Sequence, residues 1–147
     1  MARVALLDVN ILVALFDPDH VHHDLAHDWF ADHRTRGWAT CPITENGFLR
    51  IVTNPRYQPD PPRPETAAAQ LRQFCESGHH HLWHDLVSLR DRKLFALRAA
   101  GGSRHITDVY LLGLAKRMNG TLATFDRGIP LAAVQGARPE HLTVITP

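Results

Sequence analysis

Short apolar runs alternate along this chain with longer stretches in which apolar residues recur every three or four positions. The runs Arg3–Leu7, Gly37–Thr40, His80–Trp83, Thr121–Phe125 and Leu142–Thr146 have the length and composition of strands. Between them, helical patterning covers Ile11–Phe16, His20–His33, Pro42–Val52, Pro64–Glu76, Asp91–Ala99 and Thr107–Met118. Strands alternating with helices predict an α/β fold with a mostly parallel five-stranded sheet and helices on both faces. Two segments interrupt the pattern. Asn54–Pro64 holds five prolines and reads as an extended, polyproline-like, exposed connection. Gly101 and Gly102 mark a second break, just ahead of the last helix. Apolar patterning resumes on both sides of each, so residues 1–147 are expected to form a single domain.

Two acidic residues sit on the apolar stripes of their helices. Glu45 heads the series Glu45, Phe48, Leu49, Val52, and Asp108 heads Asp108, Leu111, Leu112, Ala115. Both series have the spacing of one helix face, where a carboxylate is costly unless something cationic meets it. Asp8 and Asp126 each follow a strand-like run. Taken singly, each acid has a plain explanation. Asp8 can be a turn or cap residue. Glu45, behind Pro42, and Asp108, behind Thr107, suit the first turn of a helix, where the macrodipole favours negative charge. Asp126 before Arg127-Gly128 suits a turn. Asn10 is placed to cap the first helix and orient Asp8.

Their joint placement adds something. All four acids fall where a strand ends or the next helix begins, and in right-handed parallel units those junctions share one sheet edge. Carboxylates crowded there repel one another and raise their own pKa values. A divalent cation relieves that repulsion, and an oxygen-only set favours Mg²⁺ or Mn²⁺ over zinc. Acidic pockets of this kind commonly cleave phosphodiesters by metal-activated water, with no covalent nucleophile required.

Composition narrows the picture modestly. An apolar fraction of 44% and a charged fraction of 21% are ordinary for a globular protein. Net charge is +1, so any nucleic-acid binding depends on a local basic rim rather than the overall field. Arg50, Arg56, Arg63, Arg104 and Arg127 are candidates, and Arg104 and Arg127, beside two of the acids, are the best placed. Surface charge or an ion pair to the acids explains them equally well. Trp29 and Trp38 suit core or interface better than base stacking. Cys41 and Cys75 read as reduced, partly buried thiols. Of eleven histidines, eight cluster at 20–27 and 79–84, and these read as exposed side chains rather than a zinc site. The longest apolar stretch, Ile11–Phe16, is too short to span a bilayer, and the N-terminus reads as a strand rather than a signal peptide. A cytoplasmic protein without membrane attachment is the expectation.

The segments Leu-Leu-Asp8-Val-Asn10, Cys-Pro-Ile-Thr-Glu45-Asn-Gly-Phe, Ile-Thr-Asp108-Val-Tyr-Leu-Leu and Leu-Ala-Thr124-Phe-Asp126, in that order, resemble PIN-domain ribonucleases. The resemblance is greatest to VapC-type toxins of bacterial type II toxin–antitoxin pairs, and it spans nearly the whole chain. It implies a PIN-like parallel sheet flanked by helices and Mg²⁺- or Mn²⁺-dependent endoribonuclease activity. It also implies homodimers and a small VapB-like antitoxin whose C-terminal segment covers the active-site groove. Carried over by motif, Asp8, Glu45, Asp108 and Asp126 are the catalytic, metal-binding quartet. Thr124 and Asn10 match supporting positions, and Arg104 and Arg127 remain the RNA-contact candidates. A dehalogenase-like phosphatase would want an acid where Asn10 stands, and a phospho-acceptor receiver would want paired acids after its first strand. The competing non-enzyme reading is a catalytically silent PIN-fold module that binds RNA or protein.

Overall fold

The computed structural model describes residues 3–147. Five short strands, β1 (Ala5–Leu7), β2 (Trp38–Thr40), β3 (His80–Leu82), β4 (Thr121–Thr124) and β5 (Leu142–Val144), form one sheet in the order β3-β2-β1-β4-β5. Every neighbouring pair is parallel, so the sheet expected to be mostly parallel is entirely so. The five α-helices are α1 (Val9–Phe16), α2 (His23–His33), α3 (Pro42–Val52), α4 (Pro64–Cys75) and α5 (Ile106–Arg117).

Alternation along the strands sorts the core into two layers. Ala5, Leu7, Trp38 and Ala123 point to one face, where they meet Ile11, Leu12, Phe30, Phe48, Val52 and Leu71 of α1 to α4. Leu6, Ala39 and Leu122 point to the other, against Val109, Leu111, Leu112 and Leu114 of α5 together with Phe95 and Val134. The three central strands β1, β2 and β4 are therefore dry on both faces, while the edge strand β3 is largely exposed and β5 half-buried. Each fully buried side chain such as Phe48 or Leu112 contributes roughly 1.5–3 kcal/mol through lost water contact.

Three expectations change in detail. Asp91–Ala99, expected as a helix, is a turn followed by a short 3₁₀ segment at Leu97–Ala100. The chain is held extended there because Phe95 bridges Val134 in antiparallel fashion, and the Ala96 amide donates to the Ala133 carbonyl at 2.9 Å. Long-range pairing has overridden a local helical pattern. The helix expected from His20 begins at His23, because His20 and His22 instead turn back against the ring of Phe125. The proline-rich segment is exposed but not extended throughout. Its first half is a turn, closed by the Tyr57 amide on the Asn54 carbonyl at 2.9 Å and by the Arg56 amide on Asn54 Oδ1. Among the described residues, no helix is long and apolar enough to cross a membrane.

Candidate metal centre

The sheet order places the point of topological reversal between β1 and β4. The chain leaves β1 for β2 and β3 on one side, then returns through α5 to add β4 and β5 on the other. In open parallel sheets a crevice forms beyond the strand ends at such a reversal. Asp8, the first residue after β1, and Thr124 and Asp126, at and beyond the end of β4, flank it.

Asp8 is locked by hydrogen bonds on every side. Its amide donates to the Ala123 carbonyl at 2.9 Å, its Oδ1 accepts the Val9 amide at 2.7 Å, and its Oδ2 accepts the Thr124 hydroxyl at 2.8 Å. The Thr124 oxygen in turn accepts the Asp126 amide at 3.1 Å, tying the ends of β1 and β4 together. The N-cap of α1 is therefore Asp8 itself, and the expectation that Asn10 caps this helix is corrected. Asp8 stands in extended backbone one residue ahead of the helix, where its carboxylate reaches the free Val9 amide. Asn10 lies exposed in the first turn.

Asp108 reaches the same place from the first turn of α5, and Asp126 from the turn after β4. His105 sits between them, with Nδ1 at 3.3 Å from Asp108 Oδ2 and 3.7 Å from Asp126 Oδ2. Ligand atoms of these three residues lie within 4.8 Å of one another. Asp126 also accepts the Gly128 amide at 2.7 Å through its other oxygen, so it serves its turn and faces the cluster at once. The stripe on which Asp108 lies proves undiscriminating, because α5 is buried around its whole circumference from Val109 to Ala115. What sets Asp108 apart is its position in the first turn, where the helix emerges from the core half-buried.

The electrostatics record the crowding. Burial, and then repulsion from Asp108 and Asp126, push Asp8 from 3.8 up to about 6, against the opposing pull of the Thr124 and Val9 hydrogen bonds. Asp108 is raised too, by burial first and then by Asp126, while His105 and Arg104 pull the other way. Asp8 and Asp108, raised first by burial and then by neighbouring acids, with oxygen donors converging from three elements, match the requirements of a hard divalent cation.

Glu45 is oriented differently. It lies half-buried in the first turn of α3, ahead of buried Phe48 and Val52 on the expected stripe. Its carboxylate accepts the Thr40 hydroxyl at 2.7 Å, and its nearest potential co-ligands are Cys75 and His80 rather than the three aspartates. The structure thus brings together Asp8, Asp108, Asp126 and Thr124, and leaves Glu45 at a neighbouring cluster. His105 went unnoticed in the sequence, although its position three residues before Asp108 was a readable signal. Thr40 and His80 gave none, since their link to Glu45 exists only in three dimensions.

The remaining candidates divide simply. Arg104 and Arg127 are both exposed, and the charge of Arg104 is felt by Asp108. Trp38 is core, packed between Phe30 and Phe74, and Trp29 stacks on His33. His23 and His27 contact the Ala14 and Leu15 carbonyls at the end of α1, a structural use.

The family model for the PIN domain matches residues 5–135. Ribonuclease VapC44 of Mycobacterium tuberculosis (strain ATCC 25618 / H37Rv) is 42% identical over 96% of this chain and 99% of its own length. From the same strain, ribonuclease VapC38 is 41% identical over 97% of this chain and 100% of its own length. Ribonuclease VapC39 is 41% identical over 90% of this chain and 95% of its length. With the all-parallel sheet and its acidic reversal point, these similarities make one conclusion plain: the chain belongs to the PIN domain family, among its VapC-type ribonucleases.

Proposed function

We propose that this chain, as one domain over residues 1–147, is a Mg²⁺- or Mn²⁺-dependent endoribonuclease. In this reading it is the toxin of a toxin–antitoxin pair, with Asp8, Glu45, Asp108 and Asp126 as metal ligands. The observation that carries this reading is the cluster of Asp108 and Asp126 with His105 at the reversal point, beside Asp8, whose carboxyl is pushed up to about 6 by burial and by the charges of those two aspartates. A divalent cation bound there supplies positive charge for the phosphoryl oxygens and acidifies water for attack on the phosphodiester.

The protein's own part is orientation. Thr124 and the Val9 amide fix both oxygens of Asp8, so little reorganisation is needed on binding. His105, against Asp108 and Asp126, positions those two carboxylates. Glu45 would have to leave the Thr40 hydroxyl to complete the set, and Asn10 would support its rim. Arg104 and Arg127 meet phosphates of the RNA, where they position rather than read it. By kinship with the ribonucleases VapC44 and VapC38, the substrate is RNA and the partner a small VapB-like antitoxin; a second copy of this chain and a cytoplasmic location rest on the sequence's resemblance to VapC-type toxins.

Cleavage of a total RNA pool tests the reading. The wild type is expected to cut with Mg²⁺ or Mn²⁺ and to stop with chelator. Asp8→Asn, which keeps the helix cap, is expected to lose about 100-fold or more in rate. Arg104→Ala and Arg127→Ala should weaken RNA binding while preserving metal dependence. A wild type that cuts nothing, or an Asp8→Asn variant that cuts equally well, would leave a silent binding module as the better account.

A further inference from the structure

Glu45, Cys75 and His80 come from three separate elements: the first turn of α3, the last residue of α4 and the first residue of β3. A carboxylate oxygen, a thiol sulfur and a ring nitrogen from these residues lie within 4.8 Å of one another, and all three residues are half-buried. Thr40 braces the group, since its hydroxyl donates to Glu45 at 2.7 Å and sits 2.8 Å from His80 Nε2. With that hydroxyl proton directed at Glu45, His80 is the donor in the second contact. The ring nitrogen that carries no proton is the one that can ligate: Nδ1 where Nε2–H donates to Thr40, or Nε2 once that contact is released. The His80 ring also packs on Trp38, 4.7 Å between centroids, so its direction is set by the core. Bracing by a neighbouring hydroxyl and a fixed ring is what orients ligands in built metal sites.

The donor chemistry differs from that of the aspartate cluster. Sulfur, imidazole nitrogen and one carboxylate oxygen suit a borderline-soft tetrahedral cation, whereas the aspartates offer only hard oxygen. Three protein ligands with one side open leave a fourth position for water. Ligand atoms around tetrahedral zinc stand roughly 3.5 Å apart, so the cluster needs a contraction of at most about 1.3 Å, within reach of a cysteine at a helix end.

We propose that Glu45, Cys75 and His80 form a second metal site, selective for a Zn²⁺-class cation, which competes with the aspartate centre for Glu45. Binding releases the Cys75 thiol proton and holds Glu45 on the Thr40 side. Occupancy therefore withdraws one ligand from the aspartate centre and slows RNA cleavage. The site itself stands apart from the nuclease reading; its inhibitory effect rests on that reading.

The test uses the full, tag-free chain. Co²⁺ is titrated as a zinc surrogate into wild type, Cys75→Ser, His80→Gln and Asp8→Asn, and the thiolate-to-cobalt charge-transfer absorption is recorded. Wild type and Asp8→Asn should develop the band and lose it to added Zn²⁺. Cys75→Ser should lack the band, and His80→Gln should bind on the order of 100-fold more weakly. No band in wild type, or an undiminished band in Cys75→Ser, overturns the site. In a second arm, Zn²⁺ is added to RNA cleavage running in Mg²⁺. Wild type should be inhibited at far lower Zn²⁺ than Cys75→Ser or His80→Gln, both of which keep their cleavage without zinc. Equal inhibition of all three overturns the competition for Glu45. A wild type that cleaves no RNA under any metal removes the nuclease reading and the competition with it, while the cobalt band still decides the site.

Discussion

Asp8 serves three structural ends at once: it caps α1, it receives the Thr124 hydroxyl, and it places a buried charge beside two other acids. The first two stabilise the folded chain and the third opposes them. In the metal-free protein Asp8 holds its proton to about 6, whereas the unfolded chain releases it near 3.8. Between those values the folded state binds the extra proton. Its contribution is complete below the lower value and is lost as pH rises through the upper one, at most about 3 kcal/mol for a shift of this size. Asp8→Asn removes the ionisation while keeping the cap. With chelator present, the variant should melt several degrees above wild type at about pH 7, and the gap should close at about pH 4. Melting curves at both pH values decide this. A variant that melts lower at neutral pH would make the Asp8 charge a net stabiliser instead.

At the scale of elements, the contact between the segment around Phe95 and α5 shows how tertiary packing overrules pattern. An added Cβ on Gly113 would lie 2.3 Å from Phe95 Cζ, and Phe95 is itself buried. Helical propensity alone would make Gly113→Ala stabilising by about 1 kcal/mol. The collision reverses the sign, and the variant is expected to lose roughly 1–3 kcal/mol. Phe95→Leu, which clears the space, should make the double variant cost less than the sum of its parts. Denaturant titration of the four proteins reads the coupling, and simple additivity would refute the close approach. The same contact explains why residues 91–99 suggested a helix. Their apolar spacing is genuine, but Phe95 uses it to lie across α5 and to bridge Val134. Nothing within the segment signals those distant partners.

For the molecule as a whole, a net charge of +1 leaves no strong field, so the acidic centre is a local feature set by topology. Residues 8, 108 and 126 are distant in sequence and become neighbours only because β1 and β4 are adjacent and α5 leads into β4. A cation shared among them should couple to global stability. Saturating Mg²⁺ is expected to raise the melting temperature of wild type, by about 2.7 kcal/mol of stability at 100 times the dissociation constant. Asp108→Asn should melt higher than wild type without metal and gain less from Mg²⁺. Equal gains in the two proteins would remove Asp108 from the ligand set.

The strands, most helices, the α/β class and the positions of the four acids were all legible in the order of residues. Those features rest on local periodicity and on turn and cap chemistry, which neighbouring residues carry. Where the side chains point was settled by packing between distant elements. It made Asp8 rather than Asn10 the cap, set His105 between two aspartates, and turned Glu45 toward Thr40, Cys75 and His80. The reason is physical. A helix or strand is specified by spacings within a few residues, whereas the direction of a carboxylate is fixed by hydrogen-bond donors and charges from elements far along the chain.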